Sequence, residues 1–513
     1  MRRLLLTIIV ILVNLYMWGQ DNLIDKTISN LKLKYSIPIL SKKQMYQDFD
    51  SLYAIIKLCN PQLEIRKQVT GIDILFELTK LREGIDTINY TDNFIILLYR
   101  AMKLTQDEHC NLGINVWFFS HSAYKKVAKN FDEKSFALTF SYSDIIRNNI
   151  TELCKVKYIG SKYYILEPIT IYREKDSLII PEGSELKLIN NLPINEYLQK
   201  YRDIQYDIRW DFKMKCFYSE SLAKDSFFKL TSFTYLHNNF PFKIDSIKSY
   251  KQKLFFDLLK FYQSKCVKYL SRDSLLYIRC PIMETSDIKY YRSQILKFRK
   301  LSLKKVVIDI RGNWGGNDGV WISLLQQIIA KPIENDIIYL SKTNNEIKRF
   351  IANKSASANK KNLMPEWDNS QIYNVAFVEK EKIKPKRSSL NYSGKIYILQ
   401  DENIYSAASS LTAMCMYNEN MISIGRSNDK LGGRGIEAMP FCLPNSRLIF
   451  VMDILIDNTN AQIASDVYHS EVEIPISLPI EYYINRINHQ GNTSTDEYLY
   501  NFDSLFKKVL ELK

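Results

Sequence analysis

Three textures of apolar and polar residues follow one another along the chain. From about Ser41 to Leu104, apolar residues recur every three or four positions, as in Phe49, Leu52, Ile55 and Ile56 and again in Phe94, Leu97, Leu98 and Met102. That spacing gathers them on one face of a helix. From about Asn111 to Arg202 the apolar runs are short, as in Tyr163 to Leu166 and Leu178 to Ile180, with turn residues between them. Such runs read as strands of a small β-rich module. From about Leu275 to Ser477, β-branched runs alternate with helical stretches, the pattern of an α/β domain. The expected organisation is a helical N-terminal domain over 21–110, a β-rich module over 111–205, a helical connector over 206–273 and an α/β core over 274–513. No internal repeat or low-complexity tract interrupts it.

The first 20 residues stand apart. Arg2 and Arg3 precede an apolar stretch from Leu4 to Val13, continued through Asn14 to Gly19. A basic head and a short apolar segment predict a cleaved signal peptide over 1–20 rather than a retained anchor, since a spanning helix needs roughly 20 apolar residues. No Cys follows to carry a lipid. No later run is long and apolar enough to cross a bilayer, so the expectation is an exported protein of the periplasm, cell surface or exterior, without a stable membrane span.

Composition narrows the function classes. With 513 residues, 46% hydrophobic, and only 16 Gly and 14 Pro, the chain can bury a large core, which excludes disorder, collagen and small disulfide scaffolds. The formal charge of +14 is spread thinly. Short basic clusters at Lys360 to Lys361 and Lys380 to Arg387 lack the aromatic interleaving that tracks a nucleic acid, so no nucleic-acid partner is expected. The eight Cys form no Cys-x-x-Cys pair, which gives a zinc site little support, and Cys280 and Cys415 lie in apolar runs that read as core. Imidazole chemistry has five candidates: His109, His121, His237, His469 and His489.

The chemistry is concentrated after Lys304. Val306 to Ile310 form a buried-strand pattern, Arg311 to Gly319 a glycine-rich turn, and Val320 to Ile329 a helical stretch. Glycines in such a turn tolerate positive φ and let backbone N–H groups face a cavity, which suits an oxyanion or a phosphate. The turn lacks the Lys-Ser/Thr pair of a P-loop and the spacing of a dinucleotide fingerprint. A second strand, Lys395 to Leu399, leads through a polar loop to Ser406, where an apolar helix opens. A serine there is either a helix cap or a nucleophile. Small Ala407 and Ala408 leave space above the helix start. Met421 to Gly425 reads as a third strand, followed by a loop with Gly432, Gly433 and Gly435.

These residues carry a resemblance. Asp309-Ile310-Arg311-Gly312-Asn313-Trp314-Gly315-Gly316 resembles the D-x-R-x-N-x-G-G signature of the tail-specific, or C-terminal processing, serine peptidases and their tricorn-core relatives. Ser406-Ala407-Ala408-Ser409 is similar to their S-A-x-E nucleophile motif, and Gly425 falls where the family has its strand-ending glycine. Asp107-Glu108-His109-Cys110 resembles the D-G-H-T segment of the tricorn-like branch. The stretch from Gly183 to Ile194 is similar to part of the family's PDZ-like module.

The resemblance implies a crotonase-like α/β core and a serine endopeptidase that acts on polypeptides without metal or organic cofactor. Ser406 would be the nucleophile, His109 the general base, and the N–H groups of Ala407 and of Gly316 or Gly315 the oxyanion donors. Chain order leaves Glu471 and Asp466 as candidates to orient His109. The branch with a lysine base would need Lys430, which is one residue short of the family spacing, where Leu431 stands; next to Asp429 and a glycine-rich segment it reads as solvated. Gly183, Leu186 and Ile189 would belong to a peptide-binding groove. The sequence departs from the family at Ser409, where Glu is usual, at Glu108 and Cys110, in the Asn428 to Gly433 loop, and at Asn191 in place of Gly. A second reading therefore keeps the fold but makes the chain an inactive peptide-binding or scaffold protein of the envelope.

Overall fold

The computed structural model describes residues 21–113, 131–252, 265–342, 347, 373–428, 430–459, 461–468, 472–489 and 491–512. The proposed signal segment over 1–20, Lys360 and Lys361, His121, His469 and Glu471 lie outside them. The architecture is mixed α/β. No helix among the described residues is long and apolar enough to cross a membrane.

The C-terminal half is built on a six-stranded sheet. Its order is Cys266–Leu270, Leu275–Arg279, Lys305–Asp309, Ile396–Gln400, Met421–Gly425 and Ile474–Pro475. All neighbours are parallel except the first pair. Side chains alternate between two cores, as the period of a strand requires. Ile278, Ile308 and Ile398 pack with Trp321, Leu324 and Leu411 on one face. Tyr277, Val307 and Leu399 pack with Leu505, Phe506 and Val509 on the other. Burial on both faces is why these strands read as continuous apolar runs.

The amphipathic N-terminal stripe also buries as its spacing predicts. Phe49, Leu52, Phe94, Leu98 and Met102 form one cluster with Phe450, Met452 and Ile454. The helical domain is thereby packed on a second sheet, in which Asn111–Leu112, Ile449–Asp457, Ile333–Lys342 and Tyr373–Ile383 lie in that order and Gly435–Cys442 pairs with Ile449–Asp457.

The region between holds a sheet ordered Ser221–Asp225, Ile150–Ile159, Lys162–Ile165, Glu185–Ile189, Ser232–His237 and Phe240–Asp245. The described residues of the expected helical connector are thus strands over most of 208–252. The overlooked signal is Asn238-Asn239, both at positive φ (49° and 66°), which joins Ser232–His237 to Phe240–Asp245 in a two-residue hairpin. Conversely, the β-rich stretch contains a helix, Glu133–Asn149. All eight cysteines are free, and Cys280 and Cys415 are buried.

Candidate active site

The labels β1 (Asn111–Leu112), β2 (Lys305–Asp309), β3 (Ile396–Gln400), β4 (Gly435–Cys442) and β5 (Ile449–Asp457) denote the strands that position the site. The helices α1 (Thr91–Lys103), α2 (Asp318–Ile328) and α3 (Ala407–Ala413) complete it.

The glycine turn between β2 and α2 is held by buried charge. Asp309 accepts from Tyr277 Oη at 2.7 Å, Arg279 at 3.0 Å and Arg311 Nε at 2.9 Å, and Asp503 accepts from Arg311 at 3.0 and 2.6 Å. Burial alone would raise the Asp309 carboxyl, but the two guanidinium groups hold it well below the usual carboxylate range. The turn is then tied to the loop before α3: Gly312 N–H donates to Asp401 at 2.8 Å and Tyr405 N–H to the Asn313 carbonyl at 3.0 Å. A Cβ on Gly315 would lie 2.6 Å from Ser406 Cβ and 3.0 Å from Ala407 N, so only glycine lets the two turns meet.

Ser406 does not cap α3: its side chain makes no cap hydrogen bond. Its backbone has φ 53° and ψ −125°, a region that a residue with a Cβ enters only when its surroundings enforce it, at a cost of about 1–3 kcal/mol. Of the two readings open at the sequence level, capping is the one the geometry removes. The oxyanion candidates also separate. Gly315 N–H donates to Asn313 Oδ1 at 2.8 Å and is engaged within its own turn. The N–H groups of Gly316 and Ala407 make no hydrogen bond among the described residues.

His109 is delivered from a distant part of the chain. It follows the last turn after α1, and β1 pairs antiparallel with β5, Asn111 opposite Val451 and Leu112 opposite Phe450. Carried two residues further, that register sets His109 opposite Asp453. Nδ1 lies 2.9 Å from Asp453 Oδ2, 3.2 Å from Tyr405 Oη and 3.5 Å from Asp107 Oδ1. The imidazole also packs on the ring of Tyr405, the residue before Ser406, with centroids 4.7 Å apart. Asp107 is richly satisfied. It accepts from Tyr405 Oη at 2.8 Å, from His109 N–H at 2.9 Å and from Gln62 Nε2.

Electrostatics follow from this packing. Burial works against the charged imidazole, but the charges of Asp453 and Asp107 more than offset it and raise His109 well above its ordinary value. Burial would also raise Asp107; His109, Tyr405 and Arg66 outweigh it and hold Asp107 below the usual range. Asp453 has fewer donors and is pushed up to about 7, first by burial and then by the charge of Asp107.

The glycine-rich loop has a physical role here. A Cβ on Gly432, whose φ is 90°, would lie 2.5 Å from Asp107 Cγ, and one on Gly435 1.7 Å from Asp453 Oδ2. The loop's glycines admit the two carboxylates. Ser409, where the family motif has Glu, accepts from Asn428 Nδ2 at 3.0 Å and so anchors the start of that loop to α3.

Several expected roles are not supported by the geometry. Asp466 spends its carboxylate on the N–H groups of Gln462 and Ile463, at 3.0 and 3.1 Å, and it is Asp453 and Asp107 that face His109. Lys430 is buried rather than solvated, because Glu108 at 2.9 Å and Asp207 at 3.2 Å neutralise it and the Trp314 ring lies 4.2 Å beneath it. Leu186 and Ile189 are core residues of Glu185–Ile189, a strand already flanked by Lys162–Ile165 and Ser232–His237, so no peptide can add there. Gly183 forms the turn before that strand, its N–H bonded to the Ile165 carbonyl at 2.8 Å. His237 contacts Ser184 and His489 packs on Tyr498, both away from this cluster.

Sequence reasoning missed Asp453, Asp107 and Tyr405. The available signal for Asp453 was a lone acid in the middle of an otherwise apolar strand, Ile449–Asp457, where every residue up to Ile456 is buried. A cavity of about 940 Å³ is lined by Glu108, Gly312, Trp314, Lys157, Arg209 and Glu220 among others.

The fold and site define a mixed α/β protein in which an imidazole meets two carboxylates and packs on the tyrosine that precedes a serine held at positive φ. Comparison with known families makes this specific: residues 274–453 match Peptidase family S41, and the chain thus carries a domain of that peptidase family. Among solved structures the chain is similar to mature CPAF complexed with lactacystin, with a TM-score of 0.57 and 12% identity over 91% of this chain and 98% of that one. It is likewise similar to mature CPAF alone, with a TM-score of 0.55 and 12% identity over 91% and 97%. At that identity the likeness is one of fold. No curated protein sequence matches the chain.

Proposed function

We propose that the chain is an exported serine endopeptidase that cleaves polypeptides through an acyl-enzyme on Ser406, with His109 as general base. The observation that carries this reading is Ser406 itself: uncapped, held at positive φ, and preceded by a tyrosine packed on His109. Nε2, the ring nitrogen not facing the carboxylates, would take the Ser406 hydroxyl proton as Oγ attacks the peptide carbonyl. The free N–H groups of Gly316 and Ala407 would hold the oxyanion. On collapse of the tetrahedral intermediate the C–N bond breaks and the imidazolium returns its proton to the leaving amine; water then repeats the sequence on the ester. Asp453 would orient the ring, with Asp107 supporting it through Tyr405. In this reading the six-stranded domain is crotonase-like, the Ile150–Asp245 region stands as the PDZ-like module, and the polypeptide lies along the cavity beside Trp314.

The test is labelling with a fluorophosphonate probe. Wild type is expected to react at one site, Ser406→Ala to lose the label entirely, and His109→Gln to lose at least 100-fold in rate, the lower end of what a positioned base supplies. A folded wild type that takes up no probe overturns the peptidase and supports the scaffold reading.

A further inference from the structure

Asp107, His109 and Asp453 each offer one ligand atom, and the three atoms lie within 4.8 Å of one another, the one such cluster among the described residues. An ordinary orienting contact needs a single carboxylate, because Nδ1 carries a single proton. Here two carboxylates from different elements, the turn after α1 and the centre of β5, converge on the same nitrogen at 2.9 and 3.5 Å. Asp453 is 1% exposed, and neither of its oxygens meets a hydrogen-bond donor. Zinc holds nitrogen and oxygen ligands at about 2.0–2.2 Å, so tetrahedral partners stand roughly 3.3–3.6 Å apart. The 3.5 Å separation falls in that range and the 2.9 Å one is shorter. A dication also matches the charge of two buried carboxylates, with neutral imidazole as third ligand. The His109 side chain is 19% exposed and leaves a way in and room for a fourth ligand from solvent.

We infer that Asp107, His109 and Asp453 bind a divalent transition-metal ion of the zinc type, and that its binding switches the peptidase off. A metal on Nδ1 replaces the proton there. The ring stays neutral only with its remaining proton on Nε2, where it can no longer accept one from Ser406. Bound metal and an active base are mutually exclusive on this imidazole. The inhibitory half rests on His109 being the base; the binding half does not.

The experiment separates the two. Metal-free full-length protein is titrated with Co²⁺, which reports a tetrahedral site by its visible d–d absorption, and the bound ion is then displaced with Zn²⁺. One equivalent is expected, with binding weakened at least 100-fold in Asp453→Asn and in His109→Gln. Two variants guard against one misfolding. In parallel, one equivalent of Zn²⁺ is expected to slow fluorophosphonate labelling of wild type at least tenfold, with recovery on chelation. Absence of Co²⁺ absorption in wild type, or equal binding in wild type and both variants, overturns the site. Binding without any slowing of a wild type that does label overturns the switch. If wild type does not label at all, the peptidase reading fails while the Co²⁺ spectrum still decides the site.

Discussion

The protonation of His109 is set by Asp107, two residues before it, and by Asp453, far along the chain. With Asp453 and Asp107 both facing Nδ1, their charges outweigh burial and raise His109 well above its ordinary value. The base form must therefore be reached by raising the pH, so the rate of fluorophosphonate labelling should rise along a limb centred above the ordinary histidine value. Asp453→Asn removes the largest charge that sustains the imidazolium, and the limb should move to lower pH while the plateau falls. A limb that stays in place would show that Asp453 does not act on His109. Ser406 gives a second prediction at this scale. Its φ of 53° suits glycine, so Ser406→Gly should abolish labelling yet unfold at higher denaturant than Ser406→Ala, by about 1 kcal/mol. Equal midpoints would mean that the strain is not there.

At the scale of elements, the site depends on loops that come closer than side chains ordinarily permit. The loop before β4 meets Asp107 at Gly432, and the first residue of β4, Gly435, meets Asp453. In Gly432→Ala the new methyl meets the Asp107 carboxylate at a position where φ is 90°, and two penalties combine. Destabilisation by about 2–4 kcal/mol is expected, from overpacking and backbone strain together, with loss of labelling. Chemical denaturation measures the first and the probe the second. A variant of wild-type stability would show that the loop can retreat. The pairing of β1 with β5 is the other determinant, since it alone fixes the register that faces His109 toward Asp453.

At the scale of the whole molecule, buried charge joins the β-rich module to the peptidase domain. Glu402, in the loop between β3 and Ser406, contacts Lys157 of the module and Arg426 of the domain, while Arg209 donates to the Glu402 carbonyl at 3.0 Å and to Asn403 at 2.7 Å. Burial would raise the Glu402 carboxyl, but Arg426, Lys157 and Arg209 hold it well below its ordinary range. A depressed carboxylate contributes stability above its unfolded value, about pH 4, and that contribution is lost as pH falls through the folded value. Glu402→Ala leaves cations buried without their partner, so a loss of about 3–5 kcal/mol at neutral pH is expected, with a shallower dependence of stability on pH in the acid range. Denaturation curves at several pH values test both; a variant that keeps the wild-type acid profile would place the contribution elsewhere.

What the chain order alone determined was local. The helical stripe through Phe49 and Phe94, the buried strands before Arg311 and Ser406, and the glycine turn were legible because each is a short-range pattern of side-chain period and backbone freedom. The hairpin at Asn238-Asn239 is equally local, set by two residues that tolerate positive φ. What only the tertiary structure decided was which distant groups share one imidazole. Asp453 reaches His109 by strand register, Lys430 is buried because two carboxylates meet it, and Leu186 is core because its strand has neighbours on both sides. Pairing across a sheet and neutralisation of buried charge are interactions between remote segments, and no stretch of sequence contains both partners.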